Sequence, residues 1–91
     1  MTKQSIIDAI NTRIGKTSYG AWRIGLTHDP AGRKTYWKDS ESKDIYCWSL
    51  WTADSLSDAQ DIENYFINVK GMTGGMDGDM DSSKTAYVYI F

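Results

Sequence analysis

A chain of 91 residues with 41% hydrophobic, 13% aromatic and 24% charged residues has the length of one domain, residues 1–91, and the apolar content for a modest core. Its aromatics exclude a wholly disordered chain, and a formal net charge of −2 argues against indiscriminate binding to polyanions. A core of this size excludes a large enclosed cofactor pocket and leaves room for an open surface site.

Residues 3–14 read as a helix, because Ile6, Ile7, Ile10 and Ile14 recur at helical spacing, with Thr2 as N-cap and Gly15 past the end. Residues 21–27 alternate. Trp22, Ile24 and Leu26 share one face, and Arg23, Gly25 and Thr27 the other, which predicts a half-buried strand. Asp29 and Pro30 form an N-cap and first position for a short helix over 30–37, weakened by Gly32. Residues 38–44 are a polar loop. Residues 45–51 carry apolar groups at successive positions and predict a strand in the middle of the sheet. The Ser57–Gln60 spacing predicts a capping box opening a helix to about Lys70, with Ala59, Ile62, Phe66 and Val69 on its buried stripe and Gly71 as its stop. Residues 71–84 are a glycine-rich acidic loop, and residues 85–91 a final β-branched and aromatic strand. The order α-β-α-β-α-β predicts an α+β fold in which a three-stranded mixed or antiparallel sheet packs with helices.

The single cysteine, Cys47, lies in an apolar aromatic run and reads as a small buried hydrophobe; alone it makes neither an internal disulfide nor a cysteine zinc site. No stretch approaches a membrane span and residues 1–13 lack an apolar signal core, so the expected location is the cytoplasm, with no membrane partner. Charge is unevenly divided. Residues 1–38 carry seven basic and two acidic side chains, whereas residues 39–91 carry three basic and ten acidic. The first part therefore suits an anionic partner, unless the two parts interleave in space. The Asp77-x-Asp79-x-Asp81 spacing has Ser82 and Val88 where a calcium loop needs glycine and glutamate, so the loop reads as a mobile acidic segment or a lid.

The segment Trp22–Arg33 carries the most specific pattern. Arg23-Ile24-Gly25 ends a strand, and Thr27, Asp29, Pro30 and Arg33 follow at fixed offsets; downstream, residues 59–67 form a helix containing Glu63. These two segments resemble the GIY-YIG nuclease core: the YIG strand with its following turn and helix, and the helix bearing the metal-binding glutamate. The resemblance spans about 21 residues. It implies a metal-dependent phosphodiesterase acting on nucleic acid, or a relative that only binds it. Arg33 would hold a phosphate, Glu63 would hold Mg2+, and Arg23, Lys34, Lys38 and Trp37 would contact the nucleic acid.

Physical chemistry gives the pattern sense without the family. A glycine at a strand end allows close backbone approach. An arginine offers a planar fork to a phosphate, and one carboxylate suffices for a magnesium ion that keeps its waters. Arg23 stands where the family has a tyrosine, and the upstream GIY strand is absent. The C-terminal strand is the one candidate for that place, which would make the core circularly permuted, with Tyr87 or Tyr89 supplying the hydroxyl. His28, the only histidine, is the one imidazole available as an acid or base. Each residue also has a structural reading: Arg33 paired with Glu63, His28 in a turn, and Trp22, Trp48 and Trp51 in the core, with Trp37 the tryptophan expected to be exposed. The alternative function is a small non-catalytic protein-interaction module, an inhibitor or adaptor gripping a protein partner with exposed aromatics and the acidic loop.

Overall fold

The computed structural model describes residues 1–75 and 77–91. Helix α1 spans Lys3–Ile14 and is capped by Thr2, whose side chain accepts from the Ser5 N–H. Gly15 closes it with an N–H to the Asn11 carbonyl. Ile6, Ile10 and Ile14 are fully buried, each contributing about 1.5–3 kcal/mol. After a 3-10 turn at Tyr19–Ala21 comes β1, Arg23–Thr27. Helix α2, Pro30–Thr35, is capped by Asp29, whose side chain accepts from the Gly32 N–H at 3.1 Å. A Cβ on residue 32 would run into the Asp29 carboxylate, so Gly32 leaves room for its own cap. The chain then continues as a π-helical turn, Tyr36–Ser40, with Glu41 N–H bonded to the Tyr36 carbonyl.

Strand β2 is Ser49–Thr52, α3 is Leu56–Asn68, β3 is Thr73–Gly74 and β4 is Tyr87–Ile90. The sheet is four-stranded and mixed, in the order β2-β4-β1-β3. β4 runs antiparallel to both β2 and β1, and β3 runs parallel to β1. The fold is α+β, with three α-helices. The predicted strand count was one short: the glycine-rich loop contributes a two-residue strand, too brief to leave a periodic signal.

Helices α1 and α3 pack on one face of the sheet with Ile24, Leu26, Val88 and Ile90. The other face carries Gly25, Leu50, Tyr89 and Phe91, with Trp37 and Trp48 laid over them. Strand β1 is therefore buried on both faces rather than half-buried.

Four further expectations are corrected. The strand predicted over 45–51 begins only at Ser49 and lies at the sheet edge. Asp44 accepts from the Tyr46 N–H, and Trp48 N–H bonds back to the Ile45 carbonyl, which turns the chain. Tyr46 is left 93% exposed, and Cys47 is exposed rather than buried. Helix α3 starts two residues early, capped by Ser55 accepting from Asp58 N–H at 3.0 Å, because this start adds Leu56 to the buried stripe of Ala59, Ile62 and Phe66. Val69 lies past the helix end and is exposed. Among the described residues, no helix is long and apolar enough to cross a membrane.

Candidate active site

Strand β3 pairs only with Arg23 and Ile24, so the edge of β1 is left without a strand neighbour at Leu26. The Asp77 carboxylate fills that place, accepting the Leu26 N–H at 2.9 Å. Buried backbone donors need partners, and here an acid from the loop serves as one. Glu63, in the middle of α3, reaches the same edge from the helical face. It is 7% exposed, with the Asp77 carboxyl and the Gly75 N–H beside it. Its Oε2 has no hydrogen-bond partner among the described residues. Burial first, then the neighbouring Asp77, pushes the Glu63 carboxyl up to about 9. Gln60, Asn64 and Gly78 line the rest of this cleft, which holds about 280 Å³.

On the opposite face, β4 places Tyr89 directly across from Gly25. The tyrosine ring lies over the glycine: a Cβ there would collide with the Tyr89 hydroxyl and ring carbons. Gly25 thus admits the chain's own Tyr89, where the sequence suggested an approaching substrate. Trp37 Nε1–H donates to the Tyr89 hydroxyl at 2.9 Å, and Trp48 stacks on the ring with centroids 4.6 Å apart. The hydroxyl proton is left to point elsewhere. Tyr89 is 2% exposed, and burial raises the phenol above its ordinary value, so it stays neutral at physiological pH. The hydrogen bond from Trp37 and then the Arg33 charge oppose that rise.

Arg33 is half-buried, sits 5.1 Å from the Tyr36 ring centroid, and makes no ion pair among the described residues. It lines a cleft with Thr27, Asp29 and Gly32 and, on its other side, a second cleft with Arg23, Trp37, Glu41 and Lys43. Glu41, the acid of that second cleft, accepts from the Tyr36 hydroxyl at 2.7 Å. Arg23 lies 4.7 Å from the Trp37 ring centroid, a cation–π contact. Trp37 is half-buried in this cluster, against the expectation that it would be the exposed tryptophan. Lys34 and Lys38 are exposed; Lys34 borders an apolar cleft with Trp48 and Leu50. Tyr87 is half-buried on β4, paired with Thr27.

His28 has both ring nitrogens engaged. Nδ1 lies 2.8 Å from the Thr85 carbonyl, and Nε2 accepts the Asp81 N–H at 2.9 Å. That pattern requires the neutral ring with its proton on Nδ1. Together with the Asp77–Leu26 bond, it pins the acidic loop along β1. Asp81 is turned inward on the loop: its carboxylate accepts from Ser83 N–H and Oγ–H, which hold it below the usual carboxylate range.

Of the sequence-derived candidates, Tyr89, Trp37, Arg23 and Arg33 gather on the aromatic face. Glu63 meets Asp77 at the open edge of β1. Asp77 was weighed only as the first acid of the Asp77-x-Asp79-x-Asp81 calcium-loop spacing and set aside, so its place beside Glu63 was not foreseen, and Trp48 was read only as core. Among the described residues, no three His, Cys, Asp or Glu side chains come together. A hard cation at Glu63 would therefore draw on few protein oxygens and keep its waters, as magnesium does. The buried, unpartnered Oε2 fits that demand.

Comparison with protein families, with curated proteins and with solved structures gave no match.

Proposed function

We propose that this protein is a metal-dependent phosphodiesterase acting on nucleic acid, with a site similar to the GIY-YIG nuclease core and its tyrosine strand supplied from the C-terminal end of the chain. The observation that carries this reading is the antiparallel pairing of β4 with β1, which sets Tyr89 against Gly25 and bonds its hydroxyl to Trp37, a residue that lines one cleft with Arg33 and Arg23.

The roles follow from the surroundings. Arg33 makes no ion pair among the described residues and is fork-shaped, so its guanidinium is available to a phosphate without first breaking one. Arg23 and Lys43 line the adjoining cleft and would neutralise a neighbouring phosphate. The neutral Tyr89 hydroxyl is held by Trp37 and retains a proton to donate; it would orient the attacking water rather than act as a phenolate base. Glu63 would hold magnesium, which when bound supplies charge stabilisation at the phosphate oxygens. His28 is committed to the loop at both nitrogens and serves to position it.

The test is cleavage and binding of labelled single- and double-stranded DNA and RNA, with magnesium, at two salt concentrations. The expected result is magnesium-dependent cleavage abolished in Arg33→Ala and Glu63→Gln, and binding that weakens steeply with salt. Neither cleavage nor binding at low salt would overturn the reading.

A further inference from the structure

Burying an ionisable side chain without a partner is costly, and such groups are normally neutralised or matched. Glu63 is such a group on a rigid element, matched so far only by the Asp77 carboxyl beside it. It sits in the middle of α3, 7% exposed, with Oε2 unpartnered among the described residues. The side chain lines a cleft whose other acidic lining residue is Asp77. Asp77 is itself fixed, since one of its oxygens accepts the Leu26 N–H at 2.9 Å, and that bond orients the carboxylate toward the same cleft. The amide side chains of Gln60 and Asn64 complete a lining rich in oxygen donors. Among the described residues, no cationic side chain lines it.

We propose that Asp77 is the second protein ligand of a divalent cation held with Glu63, so that the acidic loop closes on α3 around the ion. The inference rests on the magnesium reading of Glu63 and adds a ligand and a loop to it. The chemistry is that of a hard cation: the ion displaces the proton held between Glu63 and Asp77 to solvent, the two carboxylates then supply two negative charges, and water completes the coordination. The loop is built for the task. Its anchor at Leu26 uses one Asp77 oxygen while the carboxyl also meets Glu63, and the His28 contacts to Asp81 N–H and the Thr85 carbonyl hold residues 81–85 against β1. Asp79, exposed in the same loop, does not line the cleft and is no part of the site.

The experiment is Mn2+ binding to the intact protein without nucleic acid, read by the electron paramagnetic resonance of the free ion. Wild type is expected to bind one ion. Glu63→Gln and Asp77→Asn are each expected to weaken binding at least about tenfold, and Asp79→Asn to leave it unchanged. Asparagine at residue 77 keeps an oxygen for the Leu26 N–H, which preserves the fold. A second readout needs no variant: trace Mn2+ should broaden the amide resonances of Glu63, Asp77 and Gly78 first.

Wild type that binds no Mn2+, an Asp77→Asn protein that binds like wild type, or broadening centred on Asp79 and Asp81 would each overturn the proposal. The two readings fail separately. Binding at the pair with no nucleic acid cut leaves this site standing and removes the phosphodiesterase. Cleavage with Asp77→Asn affinity unchanged does the reverse.

Discussion

Gly25→Ala is the sharpest test of how the two faces of the sheet are built. An added Cβ would overlap the hydroxyl oxygen, Cζ and Cε2 of Tyr89. The ring has little freedom to retreat. Trp48 stacks on it at 4.6 Å with planes 11° apart, Phe91 stacks at 6.1 Å, and Trp37 Nε1 holds the hydroxyl at 2.9 Å. Overpacking a filled site costs about 1–3 kcal/mol, and losing the Trp37–Tyr89 hydrogen bond about 1 more, so about 2–4 kcal/mol in total is expected. For a domain of this size each kcal/mol lowers Tm by about 4–8 °C.

Urea unfolding of wild type and variant, fitted with a common m-value, measures the loss. The mechanism is isolated by repeating the substitution in a Tyr89→Leu background. Leucine removes the ring from above residue 25, so there the same alanine should cost well under about 1 kcal/mol, and the double variant should lose less stability than the sum of the two single variants. An alanine tolerated within about 0.5 kcal/mol in the wild-type background, or equally costly in both backgrounds, would refute the packing argument.

Other expectations concern the site and its loop. His28→Ala removes the acceptor for Asp81 N–H and the donor to the Thr85 carbonyl, each worth about 1 kcal/mol. Hydrogen exchange at the Asp81 amide should accelerate by roughly tenfold while magnesium-dependent cleavage survives; abolished cleavage would mean that His28 acts in the chemistry. Stability should fall as pH rises. The folded Glu63 carboxyl keeps its proton up to about pH 9, whereas its ordinary value is 4.5, so between these limits the native state binds the extra proton. The slope is at most about 1.4 kcal/mol per pH unit, and Glu63→Gln should flatten it; an unchanged slope in chemical denaturation from pH 5 to 8 would contradict the assignment. Arg33→Lys keeps the charge and loses the fork, so cleavage should drop by about 10²-fold with stability unchanged. A lysine variant as fast as wild type would show that only charge is needed.

The helices and two of the strands were legible because each has one dominant pattern. Ile6, Ile10 and Ile14 repeat at helical spacing around a full cap, and Asp29-Pro30 starts α2 where the sequence says it must. The errors arose where tertiary packing overrode a local signal. Residues 45–48 look like a strand by composition, yet the Asp44 side chain turns the backbone, and β4 instead occupies the centre. Ser55 outcompetes Ser57 as cap because the earlier start buries Leu56. The site was legible in part. Arg33 and Glu63 stand out by spacing, and the tyrosines of β4 by period two. Asp77 stood out only within the acidic spacing of its loop, and its meeting with Glu63 was not legible, since that depends on how far β3 extends, which is a property of the assembled sheet.

That dependence explains why the candidate site lies where it does. A two-residue β3 satisfies the first part of the β1 edge and stops, so the next inward backbone donor needs an acceptor from elsewhere. A longer strand would have sealed the edge with backbone carbonyls and kept the acidic loop away from α3. The loop acid that replaces it introduces a carboxylate beside Glu63, in a place where an apolar pair would stabilise the fold better. A local choice that costs stability on a rigid helix, at a sheet edge that a loop carboxylate completes, is the pattern expected of a residue kept for function rather than for folding.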